Sequence, residues 1–300
     1  MNVIEFAKGT EKMIDPIKVG TLHHMQQKLK NLPAFIERKI VTSAAKKADK
    51  MGFVVEPYAF FLVYEIDDLA RFQRDLPDGF VPAKAKVFEG DAEKYIGIIC
   101  IFRAHTSAFW GSRAELYAIA KNEVTGLKSW IILDYLSDTI SFDEKHGLRS
   151  PSVDNAAVTT TCEGDYLAEI QQNGKTVIDI EASLKHPKTK KLDEQLWING
   201  NTSIAYSKEL GGKDGDLFSL TFLPQEMETA WEIPLADVRK AKVIPYPEIS
   251  KGELTKAVCF PFAQHMLSDS PGTKTHYGSK EALEEAATKI DFKKLKGFSK

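Results

Sequence analysis

The sequence predicts an α+β fold that consists mostly of antiparallel strands. Short segments rich in β-branched and aromatic residues follow one another closely between residues 57 and 246. Turn signals separate them, such as the Gln-Asn-Gly turn at 172–174 and the Asn-Gly-Asn turn at 199–201. Closely spaced strands joined by hairpin turns favour an antiparallel sheet or barrel over a doubly wound parallel fold.

Eleven segments have the composition of β-strands. The predicted strands are residues 59–66, 95–103, 115–120, 128–136, 156–163, 166–172, 175–184, 195–199, 202–208, 217–223 and 228–232. The runs 96–102 and 130–136 alternate poorly between apolar and polar residues, which is typical of strands buried on both faces. We expect these two strands to bound a closed cavity.

Helices are predicted before, within and after the strands. In the basic segment 28–50, apolar residues recur at helical spacing, with Pro33 near the start of the helix and Gly52 as its end. Further helices are predicted at 67–75 and 280–290, the second with a serine as its N-cap.

These elements divide the chain into an extension and a body. We expect residues 1–52 to form a basic helical extension packed on the body, and residues 53–300 to form one β-rich domain with a C-terminal helix. A basic amphipathic helix can also lie on an anionic membrane. This alternative is less favoured, because an apolar face rich in alanine binds lipid weakly.

The composition is that of a globular protein with little net charge. The 300 residues include 40 Lys and Arg against 42 Asp and Glu, a net charge of −2, and 43% are hydrophobic. Because no basic field exists to attract a polyanion, we expect no nucleic-acid partner. The three cysteines are far apart in sequence, so neither a disulfide framework nor a cysteine-rich zinc site is expected.

Common catalytic and targeting motifs are absent from the sequence. It contains no glycine-rich nucleotide-binding motif and no signature of a zinc protease or serine hydrolase. We therefore expect neither a cofactor nor a metal site. The first residues lack the apolar stretch of a signal peptide, and no apolar run is long enough to span a bilayer. A reduced, cytoplasmic protein is the expectation.

The stretch from residue 61 to residue 152 is the most informative. It begins FLVYEIDDLARFQRDLP, a strand that ends in a tyrosine and leads into a helix and a Leu-Pro step, and later reads YIGIICIFRAHTSAFWGSRAELYAIAKN. This pattern resembles the acetoacetate decarboxylase-like superfamily, over about residues 56–265. The resemblance implies a closed, cone-shaped β-barrel with peripheral helices around an apolar cavity, and assembly into homo-oligomers. It also implies a reactive lysine that forms a Schiff base with a ketone.

The sequence departs from this family at the reactive positions. Pro151 and Ser152 stand where the resemblance places the two lysines, and one position of slippage brings Ser150, which is not a lysine either. The family's glutamate position falls on or next to Ser112, and Glu115 is the nearest carboxylate. We therefore expect no Schiff base at the usual position.

A different polar set lies on the same elements. Its members are Arg103, His105, Ser112, Arg113, Glu115, Tyr117, His146 and Arg149. Arg113 and Glu115 are two residues apart, so on a strand they share one face, which Tyr117 continues. We predict that Glu115 is the catalytic base and Arg113 its oxyanion or carboxylate partner, with His105 and Arg149 as further catalytic candidates.

Ser112, Tyr117, Arg103 and His146 are predicted to bind the substrate. Alternatively, Arg113 and Glu115 form an ion pair in the barrel wall that takes no part in catalysis.

Together these features predict an enzyme that acts on a keto acid or enone, expected to be aliphatic, by acid–base chemistry. Double-bond isomerisation, dehydration and decarboxylation all remain open. One alternative is an ordinary Schiff-base decarboxylase with a relocated lysine, for which Lys145 is a poor candidate because it lies in a charged run. Another alternative is a barrel that binds a lipophilic small molecule without transforming it.

Overall fold

Two mostly antiparallel sheets form the framework of the protein, with one parallel pair between the strands Lys128–Ser137 and Ile204–Tyr206. The computed structural model describes residues 1–29, 31–45, 50–143, 147–212, 217–269 and 277–295. Within these residues, thirteen strands form the larger sheet, four form the smaller sheet, and two more form a separate hairpin. The prediction of an α+β fold with mostly antiparallel strands is therefore confirmed.

The strands are β1 (Lys50–Val55), β2 (Ala59–Glu65), β3 (Phe80–Pro82), β4 (Lys84–Ala85), β5 (Lys94–Thr106), β6 (Trp110–Asn122), β7 (Lys128–Ser137), β8 (Ser141–Asp143), β9 (Gly147–Arg149), β10 (Asn155–Thr160), β11 (Asp165–Gln172), β12 (Lys175–Ser183), β13 (Lys188–Lys191), β14 (Ile204–Tyr206), β15 (Leu220–Thr221), β16 (Thr229–Ile233), β17 (Val238–Val243), β18 (Leu254–Phe260) and β19 (Gln264–Asp269). The α-helices are α1 (Val3–Glu11), α2 (Pro16–Leu29), α3 (Ala34–Ala45), α4 (Leu69–Asp75), α5 (Pro247–Ser250) and α6 (Lys280–Thr288).

The three long strands β5, β6 and β7 form a continuous antiparallel ladder. Its register places Cys100 opposite Glu115 and Phe102 opposite Arg113. The loop between β5 and β6 is closed by the Thr106 hydroxyl, which accepts hydrogen bonds from the N–H groups of residues 108 and 109 at 3.0 and 2.8 Å. Because strand side chains alternate between faces, this register decides which polar residues meet.

The larger sheet is buried on both faces by two apolar layers. One, called here the tryptophan layer, includes Phe61, Ile98, Cys100, Trp130 and Trp197. On the opposite face, side chains of β2 and β5 pack against the smaller sheet, formed by β10, β11, β12 and β17.

The contact between the two sheets is centred on Phe60, whose ring stacks on that of Tyr166 at 4.5 Å. Burial on both faces explains why β5 and β7 lack a clear alternation of apolar and polar residues. The pairings among the described strands do not close the larger sheet on itself. The closed, cone-shaped barrel therefore remains a prediction.

One predicted strand is wrong. The segment Gln195–Asn199 is a π-helical turn, not a strand. Its Trp197 indole N–H donates to the Val87 carbonyl at 2.9 Å, and its Leu196 carbonyl accepts from the Trp130 indole N–H at 2.7 Å. A five-residue apolar run fits a buried strand and a buried helical turn equally well, so its periodicity could not decide between them.

The predicted helix end at Gly52 is also wrong, because Gly52 lies within β1. The boundary expected between residues 52 and 53 therefore falls inside a strand of the larger sheet. Glycine occurs here because α1 approaches closely: a Cβ at this position would lie 3.0 Å from Met13 Cβ and 3.1 Å from the Thr10 carbonyl oxygen. The strands that the sequence pattern failed to predict are β1, β3, β4, β8, β9, β13, β17, β18 and β19.

The predicted helices agree with the structure better than the predicted strands do. The helix expected in the basic segment corresponds to α3, and those expected at 67–75 and 280–290 correspond to α4 and α6. The Ser279 hydroxyl accepts from the N–H of Ala282 at 3.2 Å, as predicted for an N-cap. Among the described helices, none has both the length and the hydropathy needed to cross a bilayer.

A histidine ties α1 to the larger sheet. His265 of β19 lies between two carboxylates, with Nδ1 3.4 Å from Glu226 Oε1 and Nε2 3.7 Å from Glu11 Oε1. Its backbone N–H also donates to Glu226. The hydrogen bond to Glu226 raises the pKa of His265 above its ordinary value of 6.5, although partial burial opposes this shift.

This raised pKa predicts how stability depends on pH. Because the folded-state pKa lies above the unfolded-state value, the stabilisation by His265 is complete below about pH 6.5 and is lost as the pH rises through the folded-state pKa. Urea unfolding from pH 5.5 to 9 should therefore show a stability advantage of wild type over His265→Gln that shrinks towards high pH. His24→Gln, at an exposed position, is the control. A difference that does not change with pH would contradict the assignment.

Candidate functional site

Three polar side chains of β6 form a hydrogen-bonded line against the tryptophan layer. Arg113 Nη1 lies 3.2 Å from Glu115 Oε1, and the Tyr117 hydroxyl donates to Glu115 Oε2. The side chains of Arg113 and Glu115 are only 11% and 7% exposed. Residues i, i+2 and i+4 of a strand share one face, so the spacing of the three residues places them together, as predicted.

A β-bulge in β7 shapes the sheet beside this line. The register between β6 and β7 shifts after Leu116, which leaves Leu133 as an extra residue on β7. Tyr135 consequently lies opposite Glu115, and Ile132 lies opposite Tyr117. Bulges redirect side chains next to functional sites. Here the bulge brings both Tyr135 and Ile132 into the tryptophan layer.

Aromatic rings surround the guanidinium of Arg113. Its central carbon lies 4.4 Å from the ring centroid of Tyr135 and 5.1 Å from that of Phe109, which are favourable cation–π distances. Arg149 contacts the same Tyr135 ring at 5.0 Å. The Tyr135 ring thus contacts two cationic side chains, and Arg149 lies beside the cluster.

Arg113 keeps its charge and one unused donor. Burial is the largest single influence and disfavours the charged guanidinium, but the Glu115 carboxylate together with Tyr135, Tyr206 and Tyr117 outweighs it and raises the pKa of Arg113. Among the described residues, Arg113 Nε has no hydrogen-bond partner. A buried donor without a partner costs free energy, so this N–H is suited to an acceptor on a bound molecule.

The other titratable groups beside Glu115 are neutral at physiological pH. Burial, reinforced by the charge of Glu115, raises the pKa of Tyr117 well above its ordinary value of 10.0. The same two causes, in the same order, raise the pKa of Cys100. Tyr117 is therefore a phenol that can donate a hydrogen bond, and Cys100 is a thiol rather than a nucleophilic thiolate.

The turn at residues 150–152 lies beside this cluster. Ser137 stands opposite Arg113 on the β6–β7 ladder, and its N–H donates to the Ser152 hydroxyl at 2.9 Å. In return, the Ser152 N–H donates to the Ser137 carbonyl at 2.8 Å. The segment expected to carry a reactive lysine is thus close to the cluster but holds serine and proline.

A buried lysine occurs elsewhere. Of the lysines that the structure describes, Lys50 is the buried one, and it forms an ion pair with Asp269. Lys50 has the same strand parity as Gly52, which faces α1, and its Nζ lies 5.9 Å from the ring centroid of Tyr277, which belongs to the tryptophan layer. Lys145 and His146 lie outside the described residues.

Two predicted members of the site are placed apart from it. Arg103 and His105 extend from the opposite face of β5 and are 47% and 41% exposed. Both contact Glu56, His105 through Nε2 at 2.8 Å and Arg103 through Nε at 3.6 Å. Nearness along the chain groups them with Arg113, whereas the alternation of β5 sends Cys100 and the odd-numbered residues of the strand to opposite faces.

Ser112 is separated from the cluster for the same reason. Its even position on β6 turns its side chain away from Arg113, and its backbone N–H donates to Asp138 Oδ1 at 2.7 Å. Burial raises the pKa of Asp138 above its ordinary value. Among the described residues, no three His, Cys, Asp or Glu side chains converge in the manner of a metal site.

Sequence reasoning missed the aromatic residues of the site. Phe109 belongs to the loop before β6, where no strand alternation applies. Tyr135 would need to be placed across a bulge, which pattern analysis of one strand does not reveal. A usable signal was the concentration of aromatic residues in the same long hairpin as Arg113 and Glu115.

Breaking the buried ion pair should be costly. Arg113→Met leaves Glu115 buried without its cation, which should lower the free energy of unfolding by about 3–5 kcal/mol. Arg113→Met combined with Glu115→Gln should recover part of this loss, because the uncompensated charge is then absent. Urea unfolding of the single and double variants measures both effects.

Arg103→Met is the control for this experiment, because the exposed Arg103–Glu56 pair should contribute at most about 1 kcal/mol. Equal losses for Arg103→Met and Arg113→Met would contradict the burial of the central pair.

Comparison with known proteins identifies distant structural similarity only. No protein-family model matches the sequence, and a search of curated proteins finds no match. Among solved structures, acetoacetate decarboxylase from Legionella pneumophila is 11% identical, with a TM-score of 0.48 over 73% of this chain and 84% of that chain. An acetoacetate decarboxylase-like enzyme from Sphingomonas wittichii is 9% identical, with a TM-score of 0.41 over 74% and 91%.

A third structure is the enduracididine biosynthesis enzyme MppR, complexed with the condensation product of pyruvate and imidazole 4-carboxaldehyde. It is 10% identical, with a TM-score of 0.38 over 73% of this chain and 85% of that chain. Similarity at this distance leaves the chemistry to be argued from the site itself. The chain is remotely similar in structure to acetoacetate decarboxylase and to an acetoacetate decarboxylase-like enzyme.

Proposed function

We propose that the protein is an acid–base enzyme of acetoacetate decarboxylase-like type that acts on a keto acid or an enone without a lysine Schiff base. The observation that carries this proposal is the buried line of Arg113, Glu115 and Tyr117. It combines a carboxylate that can accept a proton, a permanent cation with an unused donor, and a neutral phenol.

These groups suit the removal and return of a carbon-bound proton. As the C–H bond beside a carbonyl breaks, the proton passes to Glu115 and the electron pair moves to the carbonyl oxygen, which becomes an enolate. The guanidinium of Arg113 stabilises this oxygen, for which its free Nε–H is an available donor. Where an alkene lies β,γ to the carbonyl, the enolate is conjugated with it, and return of the proton to the γ carbon completes a double-bond migration without a further reactant.

Tyr117 holds the carboxylate of the base in position in this scheme. Each carboxylate oxygen has two acceptor positions, so Glu115 can hold the contacts with Tyr117 and Arg113 and still accept a proton. Proton transfer uses Glu115, whereas decarboxylation of a β-keto acid needs only stabilisation of the enolate. The site therefore favours isomerisation or dehydration among the reactions considered.

The residues at the turn beside the cluster support the second half of the proposal. Ser152 occupies the turn next to Arg113, and its hydroxyl is bonded to the backbone of Ser137. Lys50, the buried lysine of the described structure, forms an ion pair with Asp269, so its amine is already engaged.

The role of Glu115 predicts proton exchange with solvent. In D2O, the wild-type protein should catalyse deuterium uptake beside the carbonyl of pent-3-en-2-one or of a related keto acid, as followed by NMR. Glu115→Gln keeps the side-chain shape but removes the base, so the rate should fall by about 10²–10⁴-fold.

Glu56→Gln is the matched control, since Glu56 is a carboxylate on the opposite face of the sheet and should leave the rate unchanged. Circular dichroism would establish that both variants are folded. Undiminished exchange in Glu115→Gln would assign the base to another residue. No exchange by wild type across the panel would refute the proposed chemistry.

A covalent imine should not form during turnover. Treatment of the wild-type protein with sodium borohydride in the presence of the same ketones should give no substrate-dependent mass increase, because neither serine nor proline can supply the amine at the turn. Protein treated with borohydride alone is the control. A stoichiometric adduct on a lysine would contradict this prediction and favour a Schiff-base decarboxylase with a relocated lysine. Lys50 and Lys145 would be the first positions to map.

A further inference from the structure

The two edges of the smaller sheet differ in charge. Its strand order is β10–β11–β12–β17, so β10 and β17 are its edge strands. β17 carries three basic side chains, Arg239, Lys240 and Lys242, whereas β10 reads NAAVTT and carries no charge. Natural proteins commonly protect an edge strand from pairing with another chain by placing charged side chains on it, above all lysines. By this criterion β17 is protected and β10 is not.

The backbone groups of β10 alternate in direction between β11 and the open edge. Just beyond the strand, the Thr161 N–H donates to the Asp165 carbonyl at 2.8 Å, in the same register as the ladder between β10 and β11. Hydrogen-bonded and non-hydrogen-bonded pairs alternate in an antiparallel ladder, so the odd-numbered residues of β10 bond to β11. The N–H and C=O groups of Ala156, Val158 and Thr160 consequently point away from β11. Among the described strands, β11 is the one with which β10 pairs.

The side chains of β10 leave room for a further strand beside it. On the outer face of the smaller sheet, Asn155, Ala157 and Thr159 are exposed and small. On the inner face, Val158 is 8% exposed and belongs to the apolar layer between the two sheets, which anchors β10 in the core. A strand added at this edge therefore extends an existing sheet and meets no charged side chain of β10.

We infer that β10 pairs with β10 of a second copy of this chain about a twofold axis, so that two four-stranded sheets become one continuous sheet. An antiparallel strand presents the same groups to a copy of itself related by such an axis, so this contact is closed and self-complementary. Because the even-numbered residues face the edge, the register with the largest overlap places Val158 on the axis, opposite Val158 of the partner subunit. Ala156 then exchanges hydrogen bonds with Thr160 of the partner subunit.

Charge also favours a second copy as the occupant of this edge. In the inferred register, Ala157 lies opposite Thr159 of the partner subunit, so no like charges of β10 face each other across the axis. β17 paired with itself would instead bring its basic side chains together. The chain as a whole has a net charge of only −2, so two copies repel each other weakly.

Sedimentation velocity tests the association directly. Since a pair of six-residue strands is a small contact, the wild-type protein should pass from monomer to a dimer of twice the 33.5 kDa chain mass between about 1 and 100 µM. A protein that is still monomeric at about 100 µM would overturn the inference.

Paired substitutions test the register. Ala157→Lys combined with Thr159→Lys brings lysines opposite each other at two places, which should weaken the dimer at least about tenfold. Ala157→Lys combined with Thr159→Glu brings each lysine opposite a glutamate and should restore the dimer to within about threefold of wild type. Thr189→Lys, at an exposed position of β13, is the control and should leave the association unchanged. Equal association of the two double variants would overturn the inferred pairing.

Amide hydrogen exchange locates the interface without any substitution, so it remains decisive if a double variant fails to fold. In wild type, the segment 155–160 should exchange more slowly at about 100 µM than at about 1 µM, because its edge N–H groups become hydrogen-bonded in the dimer. The segment 238–243, at the other edge of the same sheet, should exchange equally fast at both concentrations. Concentration-dependent protection elsewhere, with none at 155–160, would place the interface on another surface and overturn the inference.

Discussion

The buried ion pair between Arg113 and Glu115 is the constraint on which the site depends. Removing two charges from water costs several kcal/mol for each ion, and only close pairing with further hydrogen bonds compensates this cost. The ladder of β5, β6 and β7 supplies the pairing by placing both residues on one face. Tyr117 donates to the carboxylate, and rings of Phe109 and Tyr135 cover the guanidinium. Each contact therefore serves to keep a pair of charges inside an apolar layer.

The same arrangement connects stability with chemistry. A buried ion pair is weak evidence for stability, since well-packed apolar residues of similar volume are often as stable. Retaining charges at such a position makes sense when one of them has a task that an apolar residue cannot perform. The donor that Arg113 leaves unused, and the phenol that stays neutral beside Glu115, point to a bound oxygen and to proton transfer.

Periodicity within one strand or helix predicted those parts of the structure that depend on residues close together in the sequence. The spacing of Arg113, Glu115 and Tyr117 predicted that they share a face, because alternation holds within one strand. The same alternation was not applied to Arg103 and His105, which were grouped with the site by nearness along the chain and lie on the opposite face. Residues such as Tyr135 depend on a register between strands, which one sequence does not contain. The turn of Gln195–Asn199 was misassigned because its length fits two structures.

The extra residue on β7 separates chain length from side-chain direction at one point of the strand. With Leu133 deleted, Asp134 would follow Ile132 directly, and regular alternation would still place Tyr135 on the face of Ile132 and opposite Glu115. In a regular part of the strand, the loss of one residue would instead send every later side chain to the opposite face. Loss of a single codon at the bulge would thus leave the aromatic wall beside the guanidinium in place.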